Sequence, residues 1–97
     1  MHRTPIPVVR ALRQLGTSIA TTRKLQGITS AQLADRAGVS RSTLSALENG
    51  ASTSSEALLR VLRSLGIMDT MVDSLDPYST DVGKLRMDEA LPKRVRG

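Results

Sequence analysis

The sequence predicts an all-α fold: a compact five-helix domain with a helix-turn-helix at its centre, followed by a C-terminal tail. Three observations predict it. Apolar residues recur at helical spacing in most segments. Serine or threonine opens these segments and glycine closes them at short intervals. No stretch alternates polar and apolar residues long enough for a sheet, and no internal repeat is present.

The elements follow in order. Pro5 and Pro7 argue against helix at the extreme N-terminus, although Pro7 fits a first helical turn, where its missing N–H would be unpaired anyway. Val8, Leu12, Leu15 and Ile19 then fall on one face of a first helix, with Arg10, Arg13, Arg23 and Lys24 as its polar complement. Gly27 ends it and Ile28 points back to the core. "TSAQ", Thr29 to Gln32, has the form of a capping box, a hydroxyl with Gln three residues later. It predicts a second helix over about residues 30–37, with Leu33, Ala34 and Ala37 inward and Gly38 closing it. Ser40 is the N-cap candidate of a third helix that runs to about Glu48, with Leu44 and Leu47 inward and Gly50 as its stop. The Ser/Thr run to Ser55 reads as a loop. Ser54 caps the fourth helix, Glu56 suits its dipole, and Leu58, Leu59, Leu62 and Leu65 form its stripe. Gly66 ends it. A short fifth helix is expected from about Asp69 to Leu75, carrying Met68, Met71, Val72 and Leu75. Beyond Asp76-Pro77 the periodicity weakens, and residues 76–97 read as an extended arm with one short helix.

Composition narrows the function. The chain has 97 residues, 39% of them hydrophobic, and Tyr78 is the one aromatic, so the core must be aliphatic. A core this small is marginal, which makes oligomerisation an expectation. The lack of cysteine excludes disulfides and thiolate metal sites. No apolar run approaches the roughly 18 residues of a membrane span, and no signal-peptide pattern appears, so a cytoplasmic protein with no membrane partner is expected. The net charge of +5 is uneven. Residues 1–66 carry nine Lys/Arg against three acids, and residues 67–92 carry two against six. The basic body suits a polyanion such as nucleic acid.

Within "LADRAGVSRSTLSALENG", Leu33 to Gly50, two short helical patterns are separated by Gly-Val-Ser, the spacing of a helix-turn-helix. Gly38 permits the positive φ of the turn. The outer side of the third helix is then Ser40, Arg41, Ser42, Thr43, Ser45 and Ala46, all short except Arg41. Short side chains let a helix approach the major groove of B-DNA closely, where base edges show distinct donor and acceptor patterns. These six residues are the candidate base contacts, with Arg41 placed to fork onto guanine. First-turn N–H groups at Ser30 and Ser40 suit phosphates.

"ITSAQLADRAGVSRSTLSALENG" resembles the Cro/phage-repressor type of helix-turn-helix, often called the XRE family, over about residues 19–75. The resemblance implies a lambda-repressor-like five-helix domain that binds double-stranded operator DNA as a homodimer. It implies a structural pair between Arg23 and Glu48 that orients the third helix, with Arg23 also near the DNA backbone. It further implies phosphate contacts from Ser30, Gln32 and Asn49. Ser52 joins them as a loop residue that can serve both the linker and a phosphate. The chain departs from several relatives, which carry amides where it has Ser42 and Ala46, and this leaves Arg41 as the main long reader. "LDPYSTDVGKLRMDEALPKRVRG" is similar to the C-terminal segments of small regulators paired with HipA-type kinase toxins. That resemblance implies a HipB-like antitoxin, a repressor of its own operon, with a HipA-like kinase toxin as candidate partner. The domain reading is therefore residues 1–75 for DNA and residues 76–97 for a partner or dimer contact.

Plainer readings stand beside these. Arg41 can be a solvated surface residue, Arg23 and Glu48 separate charges, Met68 and Met71 core or dimer seam, and the basic tip at residues 93–96 a solvated end. The whole chain can be a protein-interaction module that sequesters a partner through its C-terminal segment, with incidental DNA binding. An enzyme is not expected. No histidine stands near the hydroxyls of the third helix to activate them. No phosphate-binding glycine loop and no clustered metal-ligand set appear, so neither cofactor nor metal is expected. Asp88 and Glu89 are adjacent, so on a helix they do not face one site.

Overall fold

The computed structural model describes residues 3–79 and 81–90, and these are helical apart from the connections. The order is α1 (Ile6–Leu25), α2 (Ser30–Ala37), α3 (Arg41–Glu48), α4 (Ser55–Leu65), α5 (Met68–Ser74), a 3₁₀ turn (Pro77–Ser79) and α6 (Asp81–Ala90).

Local bonds explain where the central helices start. The Thr29 hydroxyl accepts from Gln32 N–H at 3.1 Å while Thr29 N–H donates to the Gln32 side-chain oxygen at 2.9 Å, a complete capping box. Ser40 and Ser54 cap α3 and α4 by accepting from Thr43 N–H and Ala57 N–H, each at 3.0 Å. The ends are equally local. Gly38 lies at φ +71°, its N–H reaches Asp35 C=O and Val39 N–H reaches Ala34 C=O, the two bonds of a Schellman closure. The same pair of bonds recurs at Gly27, Gly50 and Gly66. In three of the four closures the next residue (Ile28, Val39 or Ile67) is apolar and turns toward the core.

The core is aliphatic and small: Ile19, Ile28, Leu33, Ala34, Ala37, Leu44, Leu47, Val61, Leu62 and Leu65. Leu15, Val39, Leu58, Leu59, Ile67, Met68 and Met71 close around it. α4 contributes three of the ten core residues and packs on α1, α2, α3 and α5. Its stripe is centred on fully buried Val61, with Leu58 and Leu59 only half-buried, so the sequence-expected stripe is rotated by part of a turn.

At Gly16 the α1 backbone lies directly against the end of α3. A Cβ there would stand 2.6 Å from the Glu48 carbonyl oxygen and collide with that of Leu47. Only a glycine lets the α1 backbone cross the end of α3 at this separation.

Two expectations need correction. Val8 is 46% exposed rather than buried. α1 has 20 residues, roughly 30 Å of helix, while α2 and α3 have eight each, so its first turns overhang the bundle. The tail is more helical than an extended arm with one short helix: the 3₁₀ turn and ten-residue α6 take up its described part. α6 packs mainly on that turn and buries no residue, and Val82 and Leu85 stay 64% and 60% exposed. Val72 and Leu75 of the fifth helix and its end are likewise exposed. His2, Leu91, Pro92 and the basic tip lie outside the described residues.

Candidate nucleic-acid interface

α2 and α3 meet at the Gly38 turn, and their inner sides are consumed by the core. The outer side of α3 is therefore what remains for a ligand. Ser40, Arg41, Ser42 and Ser45 are exposed, and Thr43 and Ala46 are half-buried. Arg41, at the first helical position, makes no hydrogen bond or ion pair among the described residues. Its guanidinium keeps all five N–H donors for an outside acceptor.

An open hollow of about 670 Å³ lies between the start of α3, the loop after it and the start of α4. It brings together Ser40, Ser42, Thr43, Ala46 and Ser52 of the expected contacts. Arg41, Ser45, Asn49, Ser30, Gln32 and Arg23 lie outside its lining. Ser45 is tied to Asn49, whose side-chain amide donates to the Ser45 hydroxyl at 3.4 Å. The Gln32 side-chain oxygen is engaged in the capping box, so only its Nε2 amide is left to donate.

Arg60, which the sequence reading passed over, also lines this hollow. Its Nη1 stands 3.0 Å from where a Cβ on Gly38 would lie, against the turn itself. Its Nε is bonded to Glu56 Oε2 at 2.9 Å, an exposed i,i+4 pair. The Glu56–Arg60 spacing was the available signal. It adds an exposed cation beside the hydroxyl-rich surface.

Arg23 and Glu48 hold α3 from behind. Arg23 Nε donates to Glu48 Oε2 at 2.8 Å and Nη2 to Oε1 at 3.2 Å, a two-pronged bond, while Nη1 donates to the Ile28 carbonyl at 3.0 Å. One side chain thus joins α1, the loop before α2 and the end of α3. The two side chains are only 11% and 13% exposed. A carboxylate at the C-terminal end of a helix opposes the macrodipole, and the guanidinium offsets this. Three of the five N–H groups of Arg23 are occupied, leaving one hydrogen on each terminal nitrogen.

A helix-turn-helix family model matches residues 19–67, just over half of the chain. The chain belongs to the XRE-type helix-turn-helix family. It is a DNA-binding transcription regulator. The match begins at buried Ile19 and ends just after α4, so it contains the end of α1, all of α2, α3 and α4, and the α3 surface. No curated protein matches the chain. Among the described residues, no helix of this regulator is long and apolar enough to cross a membrane, and no group of three or more potential metal ligands occurs.

Proposed function

We propose that this regulator is a sequence-specific, homodimeric repressor, and that it autoregulates as the antitoxin of a toxin–antitoxin pair. α3 of each copy enters the major groove of a half-site. Ser40, Arg41, Ser42, Thr43, Ser45 and Ala46 face base edges. Ser30, Gln32, Asn49, Ser52 and the two remaining hydrogens of Arg23 meet phosphates and set the register. Two-fold symmetry places the half-sites about one helical turn apart. The observation that carries this reading is Arg41: an exposed guanidinium with no partner among the described residues, at the N-terminal turn of a helix whose other outward side chains are short.

The test is fluorescence anisotropy on the duplex upstream of the regulator's own gene against a scrambled duplex, over a salt series. The expected result is at least about 10³-fold tighter binding of the native duplex at physiological salt. Equal, weak binding with a steep salt slope would reduce the interaction to counterion release.

A second reading rests on the C-terminal third. Val72, Leu75, Tyr78, Val82 and Leu85 are exposed in a segment with a surplus of acids. In this reading residues 76–97 capture a partner, a HipA-like kinase toxin, and DNA binding is incidental. Deleting residues 76–97 separates the two. DNA affinity kept with a partner lost assigns the tail to interaction. Collapse of DNA binding assigns it to dimerisation.

A further inference from the structure

Three hydroxyls at the start of α3 are bonded to one another in a way that fixes their direction. Ser40 Oγ accepts from Thr43 N–H at 3.0 Å. The Ser40 hydroxyl donates to Thr43 Oγ1 at 2.8 Å. The hydroxyls of Ser40 and Ser42 lie 3.1 Å apart. A serine hydroxyl has one proton and two lone pairs. The Ser40 proton is given to Thr43, so the bond between Ser42 and Ser40 runs from Ser42. Ser40 Oγ is then complete, with two bonds accepted and one donated. Ser42 has spent its proton and keeps only lone pairs. Thr43 Oγ1 has accepted a bond and keeps its proton.

We propose that this relay polarises the reading face of α3, so that Thr43 meets the bases as a hydrogen-bond donor and Ser42 as an acceptor. The inference rests on the reading of α3 as the base-contacting helix and adds the base chemistry that each residue takes. Both side chains line the hollow beside the N-terminal end of that helix. In the major groove guanine, thymine and adenine present acceptors, at O6/N7, O4 and N7, whereas cytosine presents only its N4 amino donor. Thr43 therefore accepts guanine, thymine or adenine and rejects cytosine. Ser42 selects an amino-bearing base, adenine or cytosine. With its oxygen complete, Ser40 drops out of the base contacts proposed above. It is a positioning residue that sets the polarity of its neighbours.

The experiment uses the full chain. A preferred duplex is selected from a randomised pool, and anisotropy is read on its single-base variants with the unaltered chain, Thr43→Val, Thr43→Ser and Ser40→Asn. Thermal melting checks that each variant is folded. Thr43→Val keeps the shape and removes the proton. It should erase the preference at one position, a loss of roughly three- to ten-fold in discrimination, the worth of one neutral hydrogen bond. Thr43→Ser keeps the hydroxyl and should retain that preference. Ser40→Asn keeps a good N-cap, yet its capping oxygen has no proton to give. Thr43 then donates inward, and the discrimination against cytosine should flatten or invert.

The relay is overturned if Ser40→Asn leaves the preference unchanged. It is overturned equally if Thr43→Val alters no position, or if the position that Thr43 controls prefers cytosine. In those cases the unaltered chain still discriminates among duplexes and the interface reading stands. If the unaltered chain prefers no duplex at all, both the interface reading and the relay fall.

Discussion

Residues 19–67 and residues 68–90 differ far more in burial than in helix content. Every residue of the buried apolar core lies between Ile19 and Leu65. α5, the 3₁₀ turn and α6 contain no buried residue. The first region has side-chain caps on three helices, four Schellman closures and a nearly buried ion pair. The second leaves Val72, Leu75, Tyr78, Val82 and Leu85 exposed. Isolated helices under about 12–15 residues are marginal in water, so short helices depend on packing for their stability. α2 and α3 have only eight residues each, and the shared core supplies that packing. α6 has ten residues and draws on little of this chain beyond the 3₁₀ turn. The contrast teaches that the bundle holds α3 from several sides, while α6 draws almost no packing from it.

Three substitutions break or sharpen this contrast. Gly16→Ala and Arg23→Ala are expected to cost most, and about equally. A methyl on Gly16 would collide with backbone carbonyls of α3, which cannot move away as a flexible side chain would. The expected loss is about 3 kcal/mol, at the upper end for overpacking and despite the better helix propensity of alanine, read by denaturant unfolding. Little change there would mean that α1 does not press on α3. Arg23→Ala leaves the Glu48 carboxylate and the Ile28 carbonyl without their partner, at an expected cost of about 3 kcal/mol in the same unfolding experiment. A loss under about 1 kcal/mol, the range of exposed pairs, would show that the bond is solvated and does not hold α3. Leu85→Ser should do least to the bundle. The side chain is 60% exposed, so the melting transition should move by less than about 0.5 kcal/mol. Sedimentation should nevertheless show weaker self-association if α6 serves the dimer. A large loss of bundle stability would place α6 in the core and dissolve the contrast.

Much of the capped bundle was legible because its signals are short-range. Thr29 with Gln32, Ser40, Ser54 and the Gly-apolar pairs act within five residues, so the sequence displays both partners at once. The outward face of α3 followed from subtracting Leu44 and Leu47. Features set by the crossing of distant elements were not legible. Nothing near Gly16 says that the end of α3 passes over it. Nothing near Val8 says that the partner helices are too short to reach it. Val61 became the centre of the α4 stripe because α4 meets four other helices, which rotates its buried side. Arg60 joined the α3 surface only through the turn at Gly38. The hydroxyl relay needed side-chain geometry, since composition shows three hydroxyls without saying which gives its proton to which.

The central claim is that the N-terminal turn of α3 reads DNA bases. Anisotropy of Arg41→Ala on the selected duplex and its single-base variants tests it most directly. The account predicts a loss of roughly 1–3 kcal/mol, with discrimination relaxed at one base pair and the other positions unchanged. Uniform weakening on every duplex with a shallower salt slope would make Arg41 a phosphate contact, and unchanged affinity would take α3 off the DNA.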